Sequence, residues 1–192
     1  AHSTTYSATS GVSGETINLK VSSGTNSITN KGTQALTVAC DTVSGGRAKC
    51  TNYTLTSTSK TLTVNAKTLS LPNITSCSNK TYNGNTTASC TLGSYSGVVS
   101  GDTVTIGATC TFADADVGTG KTVTCTSYTT GNNNYTAASG SKTSTANITA
   151  KSIAVSWGTV TWTYDGEAHS TTYSATSGVS GETINLKVSS GT

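Results

Sequence analysis

The chain has 192 residues, a net charge of +3 and only 10% charged side chains, so nothing in its electrostatics points to nucleic acid or an anionic membrane as partner. Its 7 Ile, 8 Leu, 14 Val and 1 Phe are few for a globular core, but the high net charge of disordered chains is missing, and a single proline with alternating β-branched residues argues for folded strands over a mucin-like tract. No apolar run approaches the ~18 residues of a membrane span.

Period-two alternation predicts the first strands at Thr16–Val21, Ala35–Val38 and Thr61–Val64, each with one apolar face and one face of Thr, Asn or Lys. The same pattern predicts strands at Thr103–Ile106 and Lys121–Thr124. Turn signals fall between them at Ser44-Gly45-Gly46, Asn83-Gly84-Asn85, Val117-Gly118-Thr119-Gly120 and Gly131-Asn132-Asn133. No stretch carries helical periodicity. Short strands at regular spacing imply an all-β fold of small immunoglobulin-like antiparallel β-sandwich domains.

Residues 1–25 and 168–192 are identical, letter for letter, 167 positions apart. Inside that period lies a weaker repeat. Thr81-Tyr82-Asn83-Gly84 returns as Thr163-Tyr164-Asp165-Gly166, Asn52-Tyr53-Thr54 as Asn134-Tyr135-Thr136, and Ser59-Lys60-Thr61 as Ser141-Lys142-Thr143. Ser100-Gly101-Asp102-Thr103-Val104 likewise matches Ser180-Gly181-Glu182-Thr183-Ile184. The expected organisation is a domain over 1–67 that lacks its first strands, a complete domain over 68–150, and the N-terminal half of another over 151–192. The sequence reads as a window on a longer tandem array whose domains follow end to end.

Domains of ~83 residues have small cores and often need staples. Cys40 and Cys50 fall in the first domain, and Cys77, Cys90, Cys110 and Cys125 in the second. Even counts without Cys-x-x-Cys pairs favour disulfides over zinc and place the protein in an oxidising, extracytoplasmic setting. Cys40 ends one strand and Cys50 opens the next across a turn, which suits a hairpin bridge. The second domain allows three connectivities, and its turns favour Cys110 with Cys125 and Cys77 with Cys90. At Val64–Leu69 and Ile148–Ile153 one domain runs into the next without a Gly/Ser or Pro-rich linker, so the array is expected to be stiff.

The second domain resembles the YDG domain of bacterial surface adhesins through Lys80–Thr87, Gly97–Val104, Phe112–Lys121 and Asn134–Thr136. It has Asn83 where the family's namesake motif has Asp. The flanking domain is similar to the related MBG-type domain through Thr163–His169, Gly181-Glu182-Thr183 and Asn52–Thr54. The resemblance implies tandem extracellular β-domains of large bacterial surface proteins, without enzymatic activity.

The catalytic inventory agrees. Glu167, His169 and Ser170 superficially suggest a triad, but as neighbours on a strand their side chains would alternate between faces. No catalytic residue, cofactor or metal is expected. Asp114 and Asp116 lack the further carboxylates of a loop-type calcium site and read as turn formers, calcium there being the minor alternative. His2, the copy of His169, and the single arginine, Arg47, suggest nothing more. Asn52, Asn73, Asn79, Asn85, Asn134 and Asn147 head Asn-x-Thr triplets, which would accept glycans in a suitable host. Tyr82, Tyr164, Trp157 and Trp162 suit core or junction packing better than a sugar platform. The expected partners are neighbouring repeats or identical chains in a filament. The expected role is a stiff spacer at the bacterial cell surface, with a multivalent adhesive module for glycans or partner cells as the alternative.

Overall fold

A computed structural model describes residues 2–3, 5–45 and 49–188, with side chains from Thr5 onward. Gly46, Arg47, the side chain of His2 and the end of the second repeat copy therefore lie outside the described residues. The strands, in chain order, are β1 (His2–Ser3), β2 (Thr16–Gly24), β3 (Ser27–Ile28), β4 (Gly32–Ser44) and β5 (Ser59–Val64). Next come β6 (Lys67–Leu69), β7 (Ile74–Cys77), β8 (Lys80–Thr81), β9 (Cys90–Leu92) and β10 (Gly107–Phe112). The last are β11 (Gly118–Thr129), β12 (Tyr135–Ala137), β13 (Lys142–Thr149), β14 (Ser156–Trp157) and β15 (Tyr173–Ser174). Among the described residues the only helical element is a 3-10 turn at Cys50–Asn52, so the chain is nearly all β.

Packing divides the chain into two units along a different line from the repeat boundaries. One gathers the residues up to Ser70 with Gly97–Thr105 and Thr129–Ala138; the other gathers Leu71–Ser96, Ile106–Tyr128 and Ser139 onward.

In the first unit β2, β4 and β5 form an antiparallel sheet, with Ile17 opposite Val43 and Leu36 opposite Lys60. Two register shifts, at Asn18/Leu19 and Val21/Ser23, let nine residues of β2 follow the longer β4. β6 and β12 pair in parallel, setting Leu69 beside Ala137. Ile17, Leu36, Leu69 and Tyr135 are buried there.

In the second unit the sheet order is β10-β11-β13-β8, and β7 with β9 forms a separate pair. Every second residue of the long strands turns inward: Cys110 and Phe112 on β10, Val123 and Cys125 on β11, Ala146 and Ile148 on β13. Ile74 and Cys77 of β7 and Cys90 and Leu92 of β9 pack against that face, so the core lies between the two sheets. Burying each large apolar side chain stabilises the unit by roughly 1.5–3 kcal/mol.

Two expectations need correction. Thr103–Ile106 alternates but belongs to no strand; at its first residue Asn132 Nδ2 donates to the Thr103 carbonyl at 3.0 Å. Gly118-Thr119-Gly120, expected as a turn, opens β11. The chain reverses before it, at Ala113–Asp116, and Gly120 at φ 61° carries a bulge between Gly118 and Lys121. A residue with a side chain strains in that left-handed conformation, which is why glycine there resembles a turn signal.

Candidate functional site

Three disulfides join Cys40 to Cys50, Cys77 to Cys90 and Cys110 to Cys125. Cys77 and Cys90 are direct cross-strand partners on β7 and β9, and Cys110 and Cys125 sit on neighbouring strands β10 and β11. Cys50 does not open a strand; it starts the 3-10 turn, so its bridge ties that turn to the middle of β4. Counting sulfurs, Cys90, Cys110 and Cys125 lie within 4.8 Å of one another. All three are bonded in disulfides, so the cluster is two bridges side by side in the core and not a set of thiolate ligands.

The most repetitive geometry of the chain is a turn. Val12-Ser13-Gly14-Glu15, Val99-Ser100-Gly101-Asp102 and Val179-Ser180-Gly181-Glu182 each close with the acidic residue's N–H on the valine carbonyl, at 3.2, 3.0 and 3.2 Å. The glycines have φ of 78°, 92° and 81°, the left-handed value that the third position of such a turn requires. In two copies a serine caps the turn: the valine N–H donates to Ser10 Oγ at 3.1 Å and to Ser177 Oγ at 3.0 Å. In the third, Val99 N–H donates to Tyr135 Oη at 3.0 Å.

Each acidic side chain then accepts a tyrosine hydroxyl. Tyr53 donates to Glu15, Tyr135 to Asp102 and Tyr82 to Glu182. Those hydrogen bonds, ahead of desolvation and charge repulsion from the same carboxylates, hold all three phenols above the usual tyrosine range. Tyr53 and Tyr135 are the matched tyrosines of the two Asn-Tyr-Thr motifs, and Glu15 and Asp102 are the matched acids of the turn. The same clasp therefore stands in both halves of the repeat.

Lys80 organises the Asn83–Thr87 turn. Its Nζ donates to Asn83 Oδ1 and Asn85 Oδ1 at 3.0 Å and to the carbonyls of Asn85 and Thr87, and it lies 5.4 Å from the Phe112 ring centre. Desolvation lowers its pKa. Asn83 thus fills its motif position as an uncharged acceptor.

Most of the glycan-acceptor asparagines are engaged in the fold. Asn147 N–H donates to Asn79 Oδ1 and Gly120 N–H to Asn147 Oδ1, both at 2.7 Å, which ties β11 and β13 to the residue just before β8. Lys31 N–H donates to Asn134 Oδ1 at 2.8 Å, Thr87 N–H to Asn85 Oδ1 at 3.1 Å, and Lys142 Nζ to Asn73 Oδ1 at 3.4 Å. Asn52 is exposed at the end of the 3-10 turn.

Asp114 Oδ1 accepts the Asp116 N–H at 2.8 Å and pairs with the Lys121 ammonium. The hydrogen bond from Lys121, followed by that from Asp116, holds the Asp114 carboxyl below its usual range. Glu167, His169 and Ser170 do not converge. None of them is on a strand, Glu167 lying in a bend; His169 Nε2 is 3.0 Å from Asp165 Oδ1, and its ring stacks on Trp162 at 5.1 Å. Tyr82 packs against the core, whereas Trp157, Trp162 and Tyr164 are exposed, Tyr164 at 94%.

Among the described residues no helix is long and apolar enough to cross a membrane. A YDG domain is found at residues 65–146, which take in β6 to β12, the first part of β13, the Val99–Asp102 turn and Tyr135. No curated protein and no solved structure matches the chain.

Proposed function

We propose that the chain is a structural repeat segment of a bacterial extracellular filament or adhesin stalk, acting as a stiff spacer built from tandem immunoglobulin-like sandwiches, with no enzymatic activity. The observation that carries this reading is the 25-residue identity at an offset of 167, since identical copies serve length better than any single recognition event. The recurrence of the Tyr–carboxylate clasp in both halves supports a common ancestor for the two. The disulfides support an oxidising location, and the YDG domain supports a place among bacterial surface proteins.

Electron micrographs of a chain carrying several periods test the reading: uniform rods with a regular axial repeat are expected, and bent or globular particles overturn it. The exposed Trp157, Trp162 and Tyr164 favour a second reading, an adhesive module that stacks sugars. A glycan array probed with the chain separates the two, binding that is lost in Trp162→Ala supporting the second.

A further inference from the structure

Asn83 is the only asparagine of the chain that precedes a glycine. With Gly84 and Asn85 it stands exposed in the turn that Lys80 organises, where Gly84 has a φ of 76°. Glycine has no Cβ to screen its own nitrogen, so this nitrogen can approach the carboxamide of the residue before it. Asn85 also accepts from Lys80 Nζ at 3.0 Å, but Thr86 follows it, and a branched side chain crowds the nitrogen there.

The turn arranges all three groups that such an approach would use. Lys80 Nζ donates to Asn83 Oδ1 at 3.0 Å, and the Asn85 N–H reaches the same oxygen at 3.4 Å. An ammonium can only donate, so the carbonyl oxygen and not the amide nitrogen of Asn83 faces it. A cation and an N–H on that oxygen stabilise the negative charge it gains when its carbon is attacked. The attacking group is unencumbered, since among the described residues the Gly84 N–H has no hydrogen-bond acceptor. The leaving group is equally free, Asn83 Nδ2 donating to no described residue. The matched position of the other half of the repeat is already an acid: Asp165 Oδ1 accepts the Glu167 N–H at 2.9 Å and lies 3.0 Å from His169 Nε2. A carboxylate thus suits the same turn, between an N–H two residues on and a basic side chain.

We propose that Asn83 is a self-modifying site, at which the chain converts its own asparagine to aspartate and isoaspartate. The Gly84 nitrogen, giving up its proton, attacks Asn83 Cγ and closes a succinimide ring. The bond from Cγ to Nδ2 breaks, and Nδ2 takes up a proton and leaves as ammonia. Water then opens the ring at either carbonyl, giving aspartate or its isomer with the main chain routed through the side-chain carbon. The net change is one water consumed, one ammonia released and OH in place of NH2. Lys80 serves as a positioning residue throughout, first on the amide oxygen and then on the carboxylate that replaces it. The conversion does not rest on the spacer reading; in a tandem array it exchanges a neutral turn for an acidic one, one charge per period.

The full chain, folded with its native bridges, is incubated in neutral buffer and digested at intervals, and the peptide carrying residue 83 is followed by mass and by chromatography. The expected course is a growing mass shift from NH2 to OH at Asn83, ahead of every other asparagine. It should be split between two products of equal mass, of which the isoaspartate accepts a methyl group from an isoaspartyl methyltransferase. Lys80→Met should slow the conversion about tenfold or more, and Lys80→Arg, which keeps a cationic donor, should restore most of the rate. Asn83→Gln, whose longer side chain would have to close a larger ring, should abolish the shift at this exposed position while the fold stays intact. Conversion at Asn83 no faster than at Asn132–Asn134, or a rate indifferent to Lys80→Met, overturns the proposal. So does a peptide in which Lys80 Nζ is joined to Asn83, since the attacking nitrogen would then be the lysine's.

Discussion

Tyr135 donates its phenolic hydrogen to Asp102, and the same oxygen receives the N–H of Val99, so one side chain closes the Val99–Asp102 turn from both ends. Tyr53 on Glu15 is its counterpart 82 residues earlier in the tyrosine register. The phenols are held above the ordinary tyrosine value of about 10 by these hydrogen bonds first. A raised folded-state value means that the stabilisation is complete below the ordinary value and disappears as pH rises through the raised one. Urea midpoints of the wild type should therefore exceed those of Tyr53→Phe/Tyr135→Phe near neutral pH, with the gap closing above about pH 10. A gap that stays constant through that range contradicts the clasp.

Gly101 sits at φ 92° with no atom within 4 Å of where a Cβ would be. Gly101→Ala should then cost only the left-handed backbone penalty, about 1–2 kcal/mol, measured by chemical unfolding. Gly101→Asn should cost clearly less, because asparagine tolerates that conformation. Equal losses in the two variants would mean the site is crowded and not merely strained.

Ile148 is 1% exposed and packs with Phe112, Val123 and the buried cysteines. Ile148→Ala is expected to lose about 2–5 kcal/mol and Val155→Ala, on an exposed residue of 151–170, less than about 0.5 kcal/mol. Near-equal effects would place the core elsewhere.

Asp114 is held below the usual carboxylate range by Lys121 and the Asp116 N–H. Its contribution is present above the ordinary value and is lost as pH falls through the lowered one. Asp114→Asn should thus narrow its difference from wild type as the solution is acidified. With Lys121 already seated on Asp114, added calcium should leave the thermal midpoint unchanged; a rise that saturates with calcium would assign the ion to this turn.

The long strands were legible because burial on one face leaves a period-two trace: β4, β5 and β11 contain the alternating runs. Thr103–Ile106 has the same trace and no ladder, since alternation records which face is apolar and not whether a neighbouring strand is there to bond. The clasp escaped the sequence reading although both its parts were visible as repeats, Ser-Gly-acid and Asn-Tyr-Thr. What joined them was a contact across 33 residues in one half and 38 in the other, which no local pattern encodes. Cys50 was misplaced for a similar reason, its 3-10 turn having no periodic signal.

The paired bridges of the second unit have a further consequence. Cys110 and Cys125 are as deeply buried as Phe112 and Ile148, and Cys77 and Cys90 pack against them. Sulfur here is not a fastening on a finished interior; it is a large share of the interior. A reduced chain would have to enclose four thiols in place of two compact bridges, while losing about 2–4 kcal/mol of constraint for each bridge. Forming these bridges and closing this core are therefore coupled, because each bond adds constraint and interior volume at the same place.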